Sequence, residues 1–535
     1  MKIRSKLAVA AAALVVVFGS LFHSASANDV LPFNDIRDSY AKNEIITLYN
    51  KGIITGTSKT TYSPAKSVTR AEFITMMDRL LKLEPAASPV SPFTDVPKNA
   101  WFYGWIQAAV QLELASGTSA TTFAPSDAVT RQEAAVLIVR AFKQSGAAGS
   151  YLAAYKDESN IASWARSSVA AVNKLGLMKG DDTSQFRPND SMTRQETAML
   201  LARVLQNKKW AAELDKKTEE RIVMGWQYGQ TTAEYKRNIL KSNVNTLSPR
   251  WYFVDAAGSV PDSTDASLIT WAKDNGKKVW AMVGNRSDQN ATHQMLSNSK
   301  ARNAAVDQLT AYVIKYGLDG LNVDFENVAP KDRADLTAFI TALGQKLHAA
   351  GATLSMDVSP DLGTDWTDAF DYAALGKQVD YMVMMGYDEY YSGSSKAGPN
   401  ASLPYVQNAI NTLLKQVPNH KVILAVPFYN RDWTLKANGT AASSEYISLT
   451  EQNAMYAAIK LKPVWNKTLG QYVASYTKQS VKHTIWLEDG RSLTAKYKIA
   501  MNQHLAGVAY WYIGGESSDI WVSIDNAERF YDYKF

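Results

Sequence analysis

Residues 318–327 read LDGLNVDFEN in one-letter code, and their alternation predicts a strand with one polar face. Asn322, Asp324 and Glu326 share that face, because successive side chains of a β-strand point to opposite sides. A polar face on a buried strand costs free energy unless it lines a site. Two carboxylates this close also repel each other, so we expect one of them to hold a proton near neutral pH, as a general acid does.

The chain around this strand alternates between strand-like runs and amphipathic stretches typical of helices, such as 333–349 and 402–416. An antiparallel strand with a solvated face is the alternative interpretation of 318–327, and the alternation argues against it. Eight parallel strands with helices between them predict an α/β fold, a (β/α)8 or TIM barrel, over residues 222–535. The predicted strands are 222–226, 246–254, 278–283, 320–325, 353–358, 381–387, 422–427 and 507–512.

The segment 434–504 separates the last two predicted strands. Its Tyr- and Trp-rich runs and the turn signal Asp489-Gly490 predict a small α+β insertion. The active sites of such barrels lie at the carboxyl ends of the strands. The candidate residues at those ends are Asp324, Glu326, Tyr387, Asp388, Tyr429, Arg431 and Trp511.

The first 27 residues predict a secretory signal peptide, because a basic start precedes an apolar run and Ala25-Ser26-Ala27. A transmembrane anchor is the alternative, but it needs a longer apolar run. Cleavage after Ala27 removes three positive charges and no negative one, so the formal charge of +6 becomes +3. That charge is too small to indicate a nucleic-acid partner.

The composition is that of a globular protein, with 46% hydrophobic and 20% charged residues. The chain has no cysteine, so an exported form relies on its hydrophobic cores and not on disulfides. The five histidines beyond residue 27 are scattered without the spacing of metal ligands. We therefore expect neither a metal site nor a cofactor.

Residues 32–207 repeat one pattern three times with a period near 60 residues. Each unit opens with an aromatic residue two positions before an aspartate and closes with Thr-Arg-x-Glu. The closing motifs begin at Thr69, Thr130 and Thr193. Matched internal repeats indicate an array of similar, helix-rich units. We assign them to 28–88, 89–149 and 150–207, and we interpret 208–221 as a short helical linker, not a flexible tether.

The Thr-x-x-Glu spacing ahead of an apolar helical pattern is a capping box, so the threonine and glutamate are predicted helix caps. The arginine between them lies at a helix start, where the macrodipole disfavours a cation. A cation repeated there at Arg70, Arg131 and Arg194 suggests an anionic ligand. A solvated surface arginine is the alternative.

On these motifs the three units resemble S-layer homology domains. The resemblance implies a three-pronged helical module that binds pyruvylated secondary cell-wall polymer in grooves between the repeats. It implies that Arg70, Arg131 and Arg194 meet the acidic sugar. It also implies that Gly56, Gly117 and Gly180 allow a close approach of the backbone.

Three further expectations come with this resemblance. Trp101 would either stack on a sugar ring or belong to the core. The third unit matches the family pattern more loosely, because Tyr155 replaces a phenylalanine and Lys179 precedes Gly180 where the first unit has a threonine. The protein would be secreted and attached to a Gram-positive-type cell wall or S-layer.

The barrel segment carries four motifs in the order of one enzyme family. They are Asp319, Asn322, Asp324 and Glu326; Met385-Gly386-Tyr387-Asp388; residues 427–433; and Ala509-Tyr510-Trp511. On these residues, 222–535 resembles glycoside hydrolase family 18, a chitinase-like family. Asn322 stands where the family has an aspartate. The resemblance implies that proton cycling at Asp324 differs as a result, and it makes this domain more similar to the spore-cortex and peptidoglycan branch of the family.

The resemblance implies substrate-assisted cleavage of N-acetylglucosaminyl bonds in peptidoglycan or chitin-type glycans. Glu326 would be the acid, Asp324 would orient the acetamide group, and Tyr387 would donate a hydrogen bond to it. The sugar-binding residues would be Asp388, Met385, Tyr429, Arg431 and Trp511. Alternatively, Met385 and Trp511 belong to the core and Arg431 serves an ion pair. A catalytically inactive carbohydrate-binding barrel or an S-layer scaffold is the competing function, and the presence of Glu326 favours the enzyme.

Overall fold

The computed structural model describes residues 31–144, 152–153, 155–361 and 363–535, so the predicted signal peptide lies outside the described residues. A helical module comes first and a barrel with an added antiparallel sheet follows it. None of the helices in these ranges is long and apolar enough to cross a membrane.

The helices and strands are numbered in chain order. The helices of the front module and the one after it are α1 Lys42–Asn50, α2 Arg70–Leu80, α3 Tyr103–Gln111, α4 Arg131–Ala141, α5 Arg166–Lys174, α6 Arg194–Gln206 and α7 Lys208–Asp215. The later helices are α8 Thr232–Ile239, α9 Ala266–Asp274, α10 Gln289–Ser297, α11 Ser299–Tyr316, α12 Arg333–Ala349, α13 Tyr372–Gln378, α14 Leu403–Leu413, α15 Leu449–Ile459, α16 Gly490–Asn502 and α17 Asp519–Asp532. The strands are β1 Ile222–Gln227, β2 Thr246–Phe253, β3 Lys278–Gly284, β4 Gly320–Asp324, β5 Thr353–Val358, β6 Tyr381–Met385, β7 Val422–Pro427, β8 Tyr429–Leu435, β9 Ala441–Ser448, β10 Val464–Asn466, β11 Gln471–Lys478, β12 Val481–Leu487 and β13 Gly507–Trp511.

Eight parallel strands close into a barrel in the order β1-β2-β3-β4-β5-β6-β7-β13, with β13 pairing back to β1. The predicted (β/α)8 architecture is therefore confirmed. Four strands end one or two residues earlier than predicted: β2 at Phe253, β4 at Asp324, β6 at Met385 and β13 at Trp511. Glu326 and Tyr387 thus leave the strand ladder, and their side chains turn toward the barrel mouth.

The insertion is a five-stranded antiparallel sheet with the order β10-β11-β12-β8-β9. The sheet begins at Tyr429, earlier than residue 434, and its last strand ends at Leu487. Helix α16, inside the segment 434–504, packs against β7 and β13 as a barrel helix. Asp489-Gly490 is the start of that helix and not a turn within the insertion, since the Asp489 carboxylate accepts the Ser492 N–H at 3.0 Å.

The front module is a closed ring of three repeats. The predicted capping boxes at Thr69, Thr130 and Thr193 are confirmed, with both reciprocal hydrogen bonds in each. The second helix of each repeat packs on the first helix of the next one, pairing α2 with α3, α4 with α5 and α6 with α1. Short antiparallel bridges such as Ser67–Thr193 join the repeats.

The segment interpreted as a linker is helical at α7, as predicted, and it is packed against both modules. Trp210 on α7 is buried and stacks on Phe142 of the second repeat, with ring centroids 5.0 Å apart. Phe535 at the barrel's end contacts the same Phe142 ring at 4.7 Å. Asn526 and the Glu84 backbone exchange hydrogen bonds of 2.8 and 2.7 Å. These contacts hold the ring against the barrel.

Candidate functional site

A cleft of about 870 Å³ opens at the carboxyl ends of the barrel strands. Barrel strands β1, β2, β4, β5, β6 and β13 each bring side chains to it, which is how parallel strands gather distant sequence positions at one rim. Strands β8 and β9 of the added antiparallel sheet also contribute to its lining. The lining residues are Trp226, Tyr228, Arg250, Asp324, Glu326, Asp357, Met385, Tyr387, Asp388, Tyr429, Arg431, Tyr446, Trp511 and Tyr512.

Asn322 lies fully buried inside the barrel, two residues before Asp324 on β4. Its side-chain oxygen accepts hydrogen bonds from Trp226 Nε1 at 2.9 Å and Ser248 Oγ at 3.3 Å. Its side-chain nitrogen donates to Ser355 Oγ at 3.1 Å and Asp357 Oδ1 at 2.8 Å. All four hydrogen-bonding positions of the amide are therefore occupied, which fixes its orientation.

Asp324 is the carboxyl of the strand-four pair that retains a proton near neutral pH. Burial, and after it the Glu326 charge, raise its pKa to about 7 against the opposing effect of Arg250. A low-dielectric site favours the neutral acid, and a nearby like charge acts in the same direction. The strand pattern predicted one protonated carboxyl without assigning it, and the resemblance implied Glu326 as the acid, whereas the raised pKa belongs to Asp324.

Glu326 is held by the loop that follows β3. Ser287 Oγ donates to Glu326 Oε2 at 2.8 Å. The Asn285 side chain accepts the Glu326 N–H at 3.0 Å and donates to the Glu326 carbonyl at 2.7 Å. This clamp positions the carboxyl at the cleft. Among the residues that the structure describes, no lysine, arginine or histidine lies within ion-pair distance of Glu326.

The opposite wall of the cleft comes from β6, β8 and the loop after β6. Tyr429 donates its hydroxyl to Asp388 Oδ1 at 2.7 Å, and Arg431 Nη2 lies 3.7 Å from the same oxygen. Arg431 is thus both an ion-pair partner and a lining residue. Tyr387 is buried beside Tyr429, and burial raises its pKa well above the ordinary value, so the hydroxyl remains a donor.

Aromatic rings form the remaining surface. Trp511 is half-buried and packs edge-on against Trp226 at 5.7 Å and beside Tyr228 at 5.3 Å. The Arg250 guanidinium lies over the Tyr228 ring at 4.9 Å and near Trp511 at 5.9 Å. Aromatic faces of this kind pack against the apolar faces of sugar rings.

The structure brings the predicted barrel residues together at this cleft, with Asn322 directly beneath it. The residues that sequence analysis missed include Asp357, Arg250, Trp226, Tyr228 and Ser287. The signal for Asp357 was present, because Ser355 and Asp357 alternate with Leu354 and Met356 as the residues of β4 do. In the part of the chain that the structure describes, no three His, Asp or Glu side chains are arranged to hold a metal ion.

The three repeat arginines of the front module are buried between neighbouring repeats. Arg194 is 2% exposed and reaches the first repeat, where it donates to the carbonyls of Tyr62 and Thr55 and lies 3.1 Å from Glu72. Arg70 makes the equivalent contacts in the second repeat with Phe123, Ser116 and Glu133, and Arg131 those in the third with Phe186, Lys179 and Glu196.

These contacts show why a cation is tolerated at each helix start. The capping glutamate of the next repeat lies within ion-pair distance of the guanidinium, and that charge offsets the unfavourable macrodipole. The alternative of a solvated surface arginine is wrong, because the three side chains are buried. Contact with an anionic polymer remains a prediction.

Two grooves of the ring each combine residues from all three repeats. One contains Gly56, Arg194 and Trp101, and the other contains Gly180, Arg131 and Tyr40. Trp101 is 61% exposed, so its alternative role in the core is wrong. Trp164, at the equivalent position of the third repeat, is 57% exposed and was missed by sequence analysis.

The repeat glycines allow a close approach within the ring itself. A Cβ at Gly56 would lie 2.4 Å from the Ser58 carbonyl and 2.5 Å from Phe33, and Gly117 has the same surroundings around Phe93. Gly180 is less confined, with its nearest neighbour, Tyr155, at 3.0 Å. The surroundings of Gly180 thus differ from those of Gly56 and Gly117.

We expect Asp324→Asn to stabilise the protein more at alkaline than at acidic pH. Between about pH 4 and about pH 7 the folded state holds the Asp324 proton that the unfolded chain has released, so the free energy of unfolding falls as pH rises. Asparagine does not titrate, so the variant avoids this fall in the free energy of unfolding. Thermal unfolding of both proteins should show little difference at about pH 4 and a higher melting temperature for the variant at about pH 8. A difference independent of pH would contradict the assignment.

Comparison with known proteins agrees with this architecture. Residues 252–516 match glycosyl hydrolases family 18, and residues 32–74, 92–135 and 154–198 match the S-layer homology domain. The uncharacterized glycosylase YvbX of Bacillus subtilis is 27% identical over 314 residues, which cover 57% of this chain and 90% of that protein. The cortical fragment-lytic enzyme of the same species is 27% identical over 244 residues, covering 43% of this chain and 55% of its own length.

Among solved structures, a chitinase from Chromobacterium violaceum superposes with a TM-score of 0.53 and 23% identity. The match covers 58% of this chain and 99% of that one, and it supports the fold of the barrel. The chain therefore contains a family 18 glycosidase domain preceded by three S-layer homology domains.

Proposed function

We propose that this protein hydrolyses β-1,4 N-acetylglucosaminyl bonds in peptidoglycan or chitin-type glycans by substrate-assisted, retaining catalysis while attached to the cell wall. The observation that carries the proposal is the pair of unequal carboxyls at one cleft. Asp324 has a pKa raised to about 7, and Glu326 is clamped by Ser287 and Asn285 at the same mouth. Carboxyls in different environments can take different roles in one reaction.

In the proposed reaction, the proton of the Asp324–Glu326 pair passes to Glu326 when substrate is bound, and Glu326 transfers it to the glycosidic oxygen as the bond to the anomeric carbon breaks. The substrate's acetamide oxygen bonds to that carbon and forms an oxazolinium ion, so no enzyme nucleophile is needed. Ionised Asp324 accepts the acetamide N–H and stabilises the positive charge, and Tyr387 donates a hydrogen bond to the acetamide oxygen. Glu326 then removes a proton from water, whose oxygen bonds to the anomeric carbon and restores its configuration.

The neighbouring residues support sugar binding around this centre. Trp511 provides an apolar floor, flanked by Met385, which is nearly buried in the cleft wall. Asp388, Tyr429 and Arg431 form one connected polar group that can hold sugar hydroxyls. The reaction requires a 2-acetamido group on the sugar, which makes N-acetylglucosamine the expected unit.

Peptidoglycan is favoured over chitin as the substrate. S-layer homology domains indicate a cell-surface, wall-associated protein, and the cortical fragment-lytic enzyme is among the relatives of the barrel. The exposed Trp101 and Tyr40 beside the buried arginines support binding of secondary cell-wall polymer in the grooves.

Product analysis by mass spectrometry tests the reaction. Purified protein should release fragments with a reducing N-acetylglucosamine end from peptidoglycan glycan strands, and chito-oligosaccharides of equal length serve as the comparison. Absence of products from both would favour the inactive, scaffolding barrel.

Wall binding is tested with the full chain carrying Glu326→Gln, so that the walls are not digested during the assay. A larger fraction of this protein should pellet with purified walls than with walls stripped of secondary polymer, to which only the barrel can still bind. Trp101→Ala should weaken pelleting, because it removes an exposed ring from one groove. Equal pelleting with stripped walls would contradict the anchoring proposal.

A further inference from the structure

Asp357 on β5 is a second buried acid at the floor of the cleft. It is 2% exposed, and within the described ranges no lysine, arginine or histidine pairs with it. The charged and titratable groups around it are Asp324 at the end of β4, Glu326 just beyond, and Tyr387 after β6. Arg250 on β2 faces Asp324 from the other side.

Asn322 determines which oxygen of Asp357 can carry a proton. The Asn322 side-chain nitrogen donates to Asp357 Oδ1 at 2.8 Å, so Oδ1 acts as the carbonyl-type acceptor. The amide cannot reverse, because its oxygen is occupied by Trp226 and Ser248. A proton on Asp357 therefore belongs on Oδ2, the oxygen that Asn322 leaves free.

We propose that Asp357 holds a proton on Oδ2 and, aligned by Asn322, acts as a positioning residue that donates to Asp324 when Asp324 ionises. The inference rests on the proposed acetamide-assisted reaction, in which Asp324 must carry a negative charge. The pair then shares one proton, with Asp357 neutral and Asp324 charged. Burial raises the pKa of Asp357 well above its usual range, the Asp324 charge raises it further, and the Asn322 hydrogen bond only partly offsets both.

This arrangement gives β5 a function that the strand-four motif cannot provide. Asn322 cannot hold an exchangeable carboxyl proton, but it orients a neighbour that can. A neutral donor next to Asp324 stabilises its ionised form without adding a second buried negative charge. Loss of the donor would make Asp324 harder to ionise.

The test compares Asp357→Leu with Asp357→Asn in the full-length protein. Leucine keeps the side-chain volume and removes the donor. The acidic limb of the pH profile of kcat/KM should therefore move up by about one pH unit, so that kcat/KM at pH values below the limb falls roughly tenfold. Asparagine offers its oxygen to Asn322 and an N–H to Asp324, so it should lose only a few-fold and leave the limb in place. The Ser287 contact to Glu326 is left in place in both variants.

A shifted limb or complete inactivity in Asp357→Asn would overturn the proposal, since it would mean that Asp357 must ionise. An unshifted limb in Asp357→Leu would also overturn it. The asparagine result decides the matter by itself if the leucine protein fails to fold.

Carbon-13 NMR titration of the Asp324 carboxyl, assigned by its absence in Asp324→Asn, gives the same comparison without turnover. If wild-type protein cleaves no acetamido glycan but Asp357→Leu still raises the Asp324 midpoint, the proposed function fails and the proton-sharing pair stands. If Asp357→Leu leaves the titration midpoint of Asp324 unchanged, the proposed proton-sharing pair is wrong, whether or not the protein is active.

Discussion

Glu326→Gln is expected to reduce kcat for glycan cleavage by about 10²–10⁴-fold, which is the usual contribution of a positioned general acid. Glutamine has nearly the same shape and can still accept the Ser287 hydroxyl that now lies 2.8 Å from Oε2. It cannot deliver a proton to the glycosidic oxygen. Binding of chito-oligosaccharide, measured by calorimetry, should therefore survive while turnover is lost.

Ser287→Ala is the matched control for this experiment. It removes the hydroxyl contact to Glu326 but leaves the carboxyl and the Asn285 clamp in place, so a much smaller loss is expected. Wild-type turnover by Glu326→Gln would remove Glu326 from its proposed role. A loss of binding equal to the loss of turnover would point to collapse of the cleft.

Arg194→Ala is expected to destabilise the front module by about 3–5 kcal/mol, the range for breaking a buried ion pair by removal of one partner. Arg194 joins the third repeat to the first through Glu72 at 3.1 Å and two backbone carbonyls, and its guanidinium lies 4.5 Å from the Tyr62 ring. Its removal leaves Glu72 and both carbonyls without this partner. Denaturant unfolding followed by tryptophan fluorescence measures the effect.

Trp101→Ala separates folding from ligand binding in the same groove. Trp101 is 61% exposed, so its removal should leave the unfolding midpoint nearly unchanged while weakening wall attachment. If Arg194→Ala folded with wild-type stability and lost only wall binding, the structural role of the arginine would be wrong.

Local pattern was enough to identify several features of this chain. Alternation over 318–327 predicted a strand with one polar face, because a period of two is a property of the extended backbone itself. The Thr-x-x-Glu spacing predicted three capping boxes for a similar reason, since the hydrogen bonds of a cap join residues three apart. The pairing of Asp324 with Glu326 could be predicted because both residues lie on one short segment.

Several individual contacts between distant segments were not predicted. Tertiary packing places Asp357 beside Asn322 from the next strand, places Ser287 against Glu326 from the loop after β3, and gives Arg194 its glutamate partner from another repeat. Tertiary packing also places the predicted linker in contact with both modules through Trp210. The chain's own sequence determined which residues are acidic, apolar or helix-capping. The folded structure decided which carboxyl keeps its proton, because burial and the charges of distant residues set a pKa, and neither is a property of local sequence.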